Sequence, residues 1–432
     1  MIVCKFGGSS VADANQIKKV KAILESDANR TVAVVSAPGK RCKEDEKITD
    51  LLYQCNNDVG KGLSCRTTFK KIANRYLEIA ENLNVNKKDI SAKLDEVRRF
   101  IDAGRGADYA ASRGEYLSAY LISLYLGWEF VDAADYIVIN ADNTVNDATY
   151  EKLATLFEPG KKYVVPGFYG KTVLGAVKTF TRGGSDITGS IIARAADAEK
   201  YENWTDVAGV YAANPMLIPY ATPIARLSYK EVRELSEVGA SVFHEEAIAP
   251  VIEKGITINI KNTNNPEAPG TLINAETCGC GIVGVSAKGG LSKLHIRKLM
   301  LFKKSGMRHA LLTIIQIFGI RPRFSLFGID SITWYFDSNM ASDAVCESMC
   351  ERLKSEFNLD SATVERGLAV LGLVGPNMDK STDYIKALIA LKDANIAVSS
   401  VSYGASDTTC LISIPEDKKD EAVKAVYDGL FL

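Results

Sequence analysis

The first ten residues constrain the fold of this chain more than any other stretch. Ile2-Val3-Cys4-Lys5-Phe6 has the composition of a buried β-strand, and it runs directly into the turn Gly7-Gly8-Ser9-Ser10. Four apolar residues then recur at helical spacing: Val11, Ile17, Val20 and Leu24. This spacing predicts a helix with Ser10 as its N-cap and Asp13 in its first turn. The chain therefore begins with a strand, a glycine turn and a helix.

This first turn is suited to binding a polyanion. Gly7 and Gly8 lack the Cβ atoms that would keep phosphate groups away from the backbone, and the free N–H groups of the following helix would face those groups. Lys5 can place its ammonium group on the same phosphate oxygens. The pattern Lys-x-Gly-Gly also occurs in ordinary strand-turn-helix units, so it does not identify a site by itself.

A second stretch repeats the arrangement. Residues 179–190 again combine a strand, two glycines and a helix, and Arg182-Gly183-Gly184-Ser185-Asp186 adds a cation and a carboxylate. Each of the two glycine turns has a Lys or Arg close to its glycines. Two such turns in one domain predict two sides of a single anion site.

Residues 1–277 predict an α/β domain with an open, mostly parallel sheet sandwiched by helices. Apolar runs between helical segments predict its later strands, at residues 31–36, 130–132, 136–138, 162–168 and 256–263, and the stretch 201–211 ends a further strand in a polar turn. Ligands of open sheets bind at the carboxyl ends of the strands, so Ser36 and the turn after Phe6 are expected to share one crevice. Residues 61–126 are helical, but the stretch Ala111-Ser112-Arg113-Gly114-Glu115 interrupts the pattern and predicts a helix start near Glu115.

The pattern changes after residue 280. Two rounds of strand, helix, strand, strand and helix follow, and the second round ends without a closing strand. Gly281-Ile282-Val283-Gly284-Val285, which precedes the first round, is a spare strand. We therefore expect the first module to be inserted into the second. The predicted boundaries are 291–366 for the first module and 281–290 plus 367–432 for the second.

Composition excludes several classes of function. Lys and Arg number 52 against 53 Asp and Glu, so the net charge of -1 gives no general attraction to nucleic acid or membranes. The chain opens directly on a core strand, so a cytoplasmic location without a signal peptide is expected. The close cysteine pairs are Cys278-x-Cys280 and Cys346-x-x-x-Cys350, and none of the three histidines is near them, so no zinc site is expected.

Six motifs occur in order along the chain: Lys5-Phe6-Gly7-Gly8-Ser9-Ser10-Val11, Val34-Val35-Ser36, Gly114-Glu115, Thr181-Arg182-Gly183-Gly184-Ser185-Asp186, Thr205-Asp206-Val207-x-Gly209-Val210-Tyr211, and Leu227-Ser228-Tyr229 with Glu231. Together they resemble the aspartate kinases over essentially the whole chain. The resemblance implies the amino-acid-kinase fold, two ferredoxin-like βαββαβ modules of the ACT type, and β-aspartyl phosphate as product. It also implies ATP and Mg²⁺, the metal being bound mainly through the nucleotide phosphates.

The chain departs from the family pattern at two places. Asn214-Pro215-Met216 stands where the family often has Asp-Pro-Arg, which puts one phosphate-contacting arginine in doubt. His244-Glu245-Glu246 stands where the family often has His-Pro-Arg, which we interpret as a matter of helix packing. Two other functions stay open: a kinase of the same fold acting on glutamate, acetylglutamate or a nucleotide, and a degenerate kinase that only senses an amino acid.

Phosphorylating the side chain of aspartate needs no general base, because its carboxylate is already ionised at neutral pH. The reaction needs charge neutralisation on the phosphoryl group and alignment of two anions. The resemblance implies Lys5, Asp186 and Arg182 as catalytic residues, with Asp186 orienting Lys5 and Mg²⁺. The implied nucleotide site comprises Lys5, Gly7, Gly8, Ser9, Gly183, Gly184, Thr205, Asp206, Tyr211 and Lys261.

Aspartate also carries an α-carboxylate and an α-ammonium, so its pocket should offer one cation and one anion. The resemblance assigns Arg182 to the α-carboxylate as a bidentate partner, Glu115 to the α-ammonium, and hydroxyl contacts to Ser36, Thr49 and Ser185. Capping of a helix N-terminus would explain Glu115 and Asp186 equally well.

The first C-terminal module carries a candidate effector site. The turn 302–307 and the hairpin 327–331 are expected to face each other, with Asp330 as partner for an effector ammonium; ordinary turn roles for Gly306 and Asp330 are the alternative. The expected allosteric residues are Met300, Ser305, Gly306, Met307, Gly328, Ile329, Asp330 and Ser331. The resemblance implies lysine as inhibitor, alone or with threonine, acting at an interface between subunits of a homodimer or homotetramer.

Overall fold

In the computed structural model, the described residues are 1–432 except Arg182, Ser241, Val242, His244, Cys278, Cys280 and the side chain of Glu245. The chain divides into two compact units. The first unit contains Met1–Val210, Pro223–Val232 and Ser241–Thr277. The second unit contains Tyr211–Thr222, Arg233–Ala240 and Cys278–Leu432.

Eleven strands lie in the first unit as described: β1 (Ile2–Phe6), β2 (Arg30–Val35), β3 (Glu129–Phe130), β4 (Val138–Ile139), β5 (Tyr163–Pro166), β6 (Tyr169–Thr172), β7 (Val177–Thr179), β8 (Lys200–Thr205), β9 (Arg226–Ser228), β10 (Thr257–Asn262) and β11 (Thr271–Asn274). The helices that begin in it are α1 (Ala14–Glu25), α2 (Ile48–Gly60), α3 (Arg66–Asn82), α4 (Lys87–Asp102), α5 (Ala107–Leu126), α6 (Ala133–Tyr136), α7 (Ala148–Ala154), α8 (Gly184–Ala195), α9 (Tyr229–Glu237) and α10 (Ala249–Ile252).

The main sheet of the first unit is open and mostly parallel, as predicted. Its order is β3-β5-β2-β1-β8-β10-β11-β9, and only the β10–β11 pair is antiparallel among these described strands. All five residues of β1 are buried because β2 and β8 flank it on both sides. The carboxyl ends of β1, β2 and β8 therefore lie together at one edge of the sheet.

The connection from β1 to α1 differs from the prediction. Residues Gly8–Val11 form a 3₁₀ turn, and α1 begins at Ala14. Asp13 is the N-cap, because its carboxylate accepts from the backbone N–H of Gln16 at 2.9 Å. Ser10 as N-cap was wrong: its hydroxyl is instead hydrogen-bonded to Thr263 Oγ1 at 2.7 Å.

Two further local predictions were wrong. Glu115 lies in the middle of α5 rather than at a helix start, because residues 111–114 continue the helix. A glycine is needed there for packing: a Cβ at Gly114 would lie 2.7 Å from the Cβ of Ala37. Tyr136 ends the short helix α6 instead of beginning a strand.

The strand before the second glycine turn also differs from the prediction. This strand, β7, belongs to a separate three-stranded sheet of order β4-β6-β7 and not to the main sheet. Helix α8 begins at Gly184, after Gly183 in the left-handed region with φ of 61°. Arg182 lies outside the described residues.

The second unit contains six strands in the part of the chain described: β12 (Gly284–Arg297), β13 (Phe324–Phe327), β14 (Ser331–Asp337), β15 (Ser361–Val374), β16 (Ser400–Ser402) and β17 (Thr409–Pro415). Its helices are α11 (Met307–Ile317), α12 (Asp343–Phe357), α13 (Tyr384–Asp393) and α14 (Lys419–Phe431). The strands form one antiparallel sheet of order β13-β14-β12-β15-β17-β16. Across all described helices, none is both long enough and apolar enough to cross a bilayer.

The first module is inserted into the second, as predicted, through two long strands. Residues 284–288 of β12 pair with 370–374 of β15, and this segment supplies the strand that the second module lacked. Residues 291–297 of β12 pair instead with β14 and with the first half of β15. The boundary predicted between residues 366 and 367 falls inside one continuous strand, β15, because both modules share it.

We expect deletion of residues 367–432 to destabilise both modules. The deletion removes β17 and half of β15, so residues 284–288 lose their partner strand. It also removes Leu368 and Val370 from a buried cluster that they form with Leu291 and Tyr335 of the first module. An unpaired strand edge promotes aggregation. Size-exclusion chromatography and thermal melting should show aggregation and loss of the first module's transition; a monodisperse truncated protein with a normal transition would contradict this expectation.

Candidate active site

Nine described residues of the first unit line a cavity of about 250 Å³: Lys5, Ser36, Thr49, Glu115, Phe168, Gly183, Gly184, Ser185 and Asp186. They come from the ends of β1 and β2, from α2 and α5, from the start of α8 and, for Phe168, from the segment between β5 and β6. All except Phe168 are candidates from the sequence. The structure therefore brings together eight candidate residues from five separate stretches of the chain.

Lys5 and Asp186 form an ion pair in this cavity. Lys5 Nζ lies 2.6 Å from Asp186 Oδ1, and both side chains are largely buried. A third residue completes the group: Asn203 accepts from Lys5 Nζ at 3.2 Å and donates to Asp186 Oδ1 at 3.0 Å. Sequence patterns did not single out Asn203, and the only signal for it is its register, since β8 places it directly beside Lys5.

Glu115 is a buried carboxylate with a free oxygen. The residue is 6% exposed, and its Oε2 has no hydrogen-bond partner among the described residues. Burial raises the pKa of Glu115 to about 8, although backbone N–H groups and the charge of Arg113 oppose the rise. An uncompensated carboxylate is costly inside a protein unless a cation binds it. Glu115 is therefore suited to an ammonium ligand.

Close backbone packing joins the two strand ends beside the cavity. Gly39 N donates to Gly8 O at 2.8 Å, and a Cβ at Gly39 would lie 2.8 Å from the carbonyl carbon of Gly8. Only glycine permits this approach. The turn after β2 is thus fixed against the glycine turn after β1, and Ser36 shares the crevice with Lys5.

The remaining nucleotide candidates do not line this cavity. Gly7 N donates to Trp204 O at 3.0 Å, so the glycine turn lies beside the end of β8, where Thr205 and Asp206 follow. Lys261 Nζ lies 5.1 Å from the Trp204 ring centroid, and burial lowers the pKa of Lys261. The other three candidates are Gly8 and Ser9, in the 3₁₀ turn, and Tyr211, in the second unit.

A buried ion pair anchors β8 beneath this edge. Glu202 accepts from Arg30 Nε at 2.8 Å and from Trp204 Nε1 at 3.0 Å. Trp204 in turn stacks on Phe6, with ring centroids 6.2 Å apart. Breaking a buried pair costs about 3–5 kcal/mol, because it leaves one charge uncompensated. The ion pair therefore ties β8, the strand that carries Asn203, to β2, and the ring contact ties it to β1.

In the second unit, the structure brings together part of the candidate effector site. Met300 N donates to Asp330 Oδ1 at 2.8 Å, and Lys298 N donates to Asp330 O at 2.9 Å. Gly306 has φ of 77° and precedes α11, which begins at Met307. Gly328 N donates to Ser331 O at 2.9 Å in the hairpin, next to the highly exposed Ile329. Ser305 lies in the turn just before Gly306.

The structure describes the first departure from the family pattern, at Asn214-Pro215-Met216, and only part of the second, at His244-Glu245-Glu246. Met216 is 91% exposed, and its backbone N–H donates to Asn214 Oδ1 at 3.0 Å. His244 and the side chain of Glu245 lie outside the described residues, and Glu246 is exposed.

Comparison with known proteins identifies the family. Residues 1–262 match the model of the amino acid kinase family. Aspartokinase 3 of Bacillus subtilis is 33% identical over 448 aligned residues, which cover 100% of this chain and 99% of the relative. The crystal structure of Clostridium acetobutylicum aspartate kinase is 41% identical with a TM-score of 0.90, and both chains are covered completely.

A more distant structure shares the fold. Escherichia coli aspartokinase III, solved with aspartate and ADP, is 24% identical with a TM-score of 0.81 over 100% of both chains. The full-length match to the Bacillus relative extends beyond the kinase domain into the C-terminal modules. The chain belongs to the amino acid kinase family and, within it, to the aspartokinases.

Proposed function

We propose that this aspartokinase transfers the γ-phosphoryl group of ATP to the β-carboxylate of L-aspartate, giving β-aspartyl phosphate, and that amino acids regulate it through its C-terminal modules. One observation carries the proposal. A single cavity holds a fixed cation, Lys5 paired with Asp186, and a buried carboxyl group, Glu115, whose Oε2 has no hydrogen-bond partner among the described residues. A zwitterionic amino acid that must meet a phosphate needs both charges.

Aspartate binds in this proposal through its two α-substituents. Glu115 receives the α-ammonium, because a cation is what its free, buried oxygen lacks. Arg182, assigned from the sequence, holds the α-carboxylate as a bidentate partner. The hydroxyl groups of Ser36, Thr49 and Ser185 line the same cavity and complete the contacts. The β-carboxylate is left free to face Lys5.

ATP supplies the phosphoryl group, and the protein neutralises its charge. Lys5 and the backbone amides of the two glycine turns, at Gly7, Gly8, Gly183 and Gly184, interact with the phosphates. Thr205, Asp206 and Lys261 are proposed for the ribose and base. No side chain has to take a proton, since the attacking carboxylate is already ionised. The E. coli relative solved with aspartate and ADP has the same two classes of ligand.

Mg²⁺ fits this site as a partner of the nucleotide. Of the described residues that line the cavity, two are acids, Glu115 and Asp186. No three His, Cys, Asp or Glu side chains in the described part of the chain are grouped to hold a metal ion. We therefore propose that the phosphates hold Mg²⁺, with Asp186 as the protein contact. The ion would neutralise phosphate charge.

The second unit is proposed to regulate the enzyme, and residues 1–277 to contain the catalytic domain. Lysine, alone or with threonine, is the proposed inhibitor, and the E. coli relative named lysine-sensitive aspartokinase 3 is 27% identical over 99% of its own length. The effector site is proposed at Asp330 and the turn that contains Gly306. We propose that it lies at an interface between subunits of a homodimer or homotetramer, and that the enzyme is cytoplasmic.

Replacing Asp330 by alanine is expected to relieve inhibition while leaving uninhibited activity nearly intact. Its carboxylate fixes the turn at Met300 and offers charge to an effector ammonium. The loss should shift the inhibitory concentration of lysine about 5- to 150-fold, the usual range of allosteric coupling. The control is Asp393→Ala, at an exposed acid of α13. If neither lysine nor threonine at millimolar concentration affects the wild type, the modules serve assembly only.

A substrate panel tests the proposal against its rivals. A coupled assay for ADP release is run with aspartate, glutamate, acetylglutamate and a nucleoside monophosphate as acceptors. Aspartate alone is expected to support turnover. Turnover with another acceptor would assign the protein to a different kinase reaction, and binding of aspartate without any turnover would show an amino-acid sensor.

A further inference from the structure

We propose that Asn203 is a positioning residue of the phosphoryl-transfer site, which fixes the direction of the Lys5 ammonium group. The inference rests on the proposed function, because that function assigns Lys5 to the phosphates of ATP. Asn203 is 4% exposed and lies directly beside Lys5 in the parallel register of β1 and β8. Neither glycine motif contains it.

The argument starts from a closed ring of three polar side chains. Lys5 Nζ lies 2.6 Å from Asp186 Oδ1 and donates to Asn203 Oδ1 at 3.2 Å, and Asn203 Nδ2 donates to the same Asp186 oxygen at 3.0 Å. An amide suits this place because its oxygen accepts from the ammonium while its nitrogen donates to the carboxylate. A carboxylate or an ammonium group at this position could make only one of the two contacts.

The ring limits the freedom of the ammonium group. An ammonium group has three N–H donors, and two of them are directed at Asp186 and Asn203. The third donor remains for a ligand. With Asp186 alone, Lys5 would be held by a single contact and could turn about it. A second acceptor at a fixed angle aligns the free donor, and alignment is a large part of catalysis when no proton is moved.

The support for Asn203 is itself rigid. It precedes Trp204, whose carbonyl accepts from Gly7 N at 3.0 Å and whose indole N–H donates to Glu202 at 3.0 Å. Glu202 is paired with Arg30 in the buried network below the site. A positioning group on a strand fixed in this way can hold a partner more accurately than one on a loop.

The main test is Asn203→Ala. We expect kcat to fall about 10- to 100-fold, the loss typical of one hydrogen bond to a charged group, while KM for ATP and aspartate changes less than about threefold. The matched control is Asn259→Ala on β10. Asn259 is 7% exposed and pairs in register with Glu202, so its side chain lies on the opposite face of the sheet. Its kcat should stay normal.

The variant Asn203→Asp separates positioning from simple packing. It keeps an acceptor for Lys5 but puts a second carboxylate beside Asp186, and like charges favour protonation of one of them. We expect kcat to be depressed at pH 8 and to recover towards lower pH, a limb that the wild-type profile lacks. Acetylation of Lys5 should be slower, relative to acetylation of Lys18, in ligand-free Asn203→Asp than in the ligand-free wild type. Competitive acetylation followed by mass spectrometry measures this ratio.

Each outcome decides the matter. If Asn203→Ala keeps kcat within about threefold while Lys5→Ala is inactive, the positioning role is wrong and the proposed function stands. Equal losses in Asn203→Ala and Asn259→Ala would show general damage to the sheet and would also overturn the role. If the wild type has no aspartate kinase activity, the proposed function fails, and the acetylation rates still decide whether Asn203 controls Lys5.

Discussion

Replacing Lys5 by alanine is expected to lower kcat at least ~100-fold with folding intact. Lys5 is the fixed cation of the cavity, held by Asp186 at 2.6 Å and by Asn203 at 3.2 Å. It meets the phosphoryl group most closely when negative charge is redistributed during transfer, so its loss should affect the transition state more than the ground state. Steady-state kinetics at saturating ATP and aspartate measure the effect.

The control for this variant is Lys18→Ala, at an exposed lysine of α1. It should behave as the wild type. Circular dichroism and the thermal midpoint of Lys5→Ala show whether the fold survives. A folded Lys5→Ala protein with near-normal kcat would exclude Lys5 from the phosphoryl site. Arg182→Ala should chiefly raise KM for aspartate, and a change confined to KM for ATP would mean that Arg182 serves the other substrate.

The second large expected effect is a pH dependence of kcat/KM for aspartate that comes from Glu115. Burial raises the pKa of Glu115 to about 8, so the free enzyme carries a neutral carboxyl group at pH 6 to 7. Only the ionised form pairs with the α-ammonium of aspartate. We therefore expect kcat/KM for aspartate to rise with pH, by about tenfold per unit below the pKa, and to level off above it. On the plateau above the pKa, Glu115→Gln should lower kcat/KM for aspartate about 100-fold, and it should abolish the slope below the pKa.

The pH dependence of folding stability tests the ionisation of Glu115 without an activity assay. The pKa of Glu115 rises from 4.5 to about 8 on folding, so the folded protein binds more protons than the unfolded chain between these values. The contribution to stability is fully present below pH 4.5 and is lost as pH rises through about 8. Glu115→Gln should flatten this dependence, and Glu129→Gln, at an exposed acid, should not. An unchanged dependence in Glu115→Gln would show that Glu115 is not the titrating group.

The parts of the fold that local pattern determines could be predicted. Residues 2–6 are a buried central strand because four of the five are apolar. The strand predicted at residues 281–285 begins at Gly284 in the structure, and it closes the second module because an unfinished unit needs a partner strand. The glycine turns followed from their sequence, since only glycine allows the backbone contact seen between Gly8 and Gly39.

Other features depend on contacts that a linear pattern does not contain. The stretch 111–115 interrupts the helical pattern and so predicts a helix start near Glu115, yet its Gly114 is required where α5 packs on Ala37. Ser10 lost the capping role because its hydroxyl bonds to Thr263, which is distant in sequence. Asn203 could not be identified before the pairing of β1 with β8 was known, since its role follows from strand register alone.

The most direct measurement of the proposed reaction is trapping of its product. Acyl phosphates react with hydroxylamine, so the wild-type protein is incubated with ATP, Mg²⁺, L-aspartate and hydroxylamine, and the mixture is analysed by mass spectrometry. Aspartate β-hydroxamate should form in amounts equal to the ADP released, and Lys5→Ala and Glu115→Gln should form far less of it. Release of ADP without the hydroxamate, or no ADP at all from folded wild-type protein, would contradict phosphorylation of aspartate at this cavity.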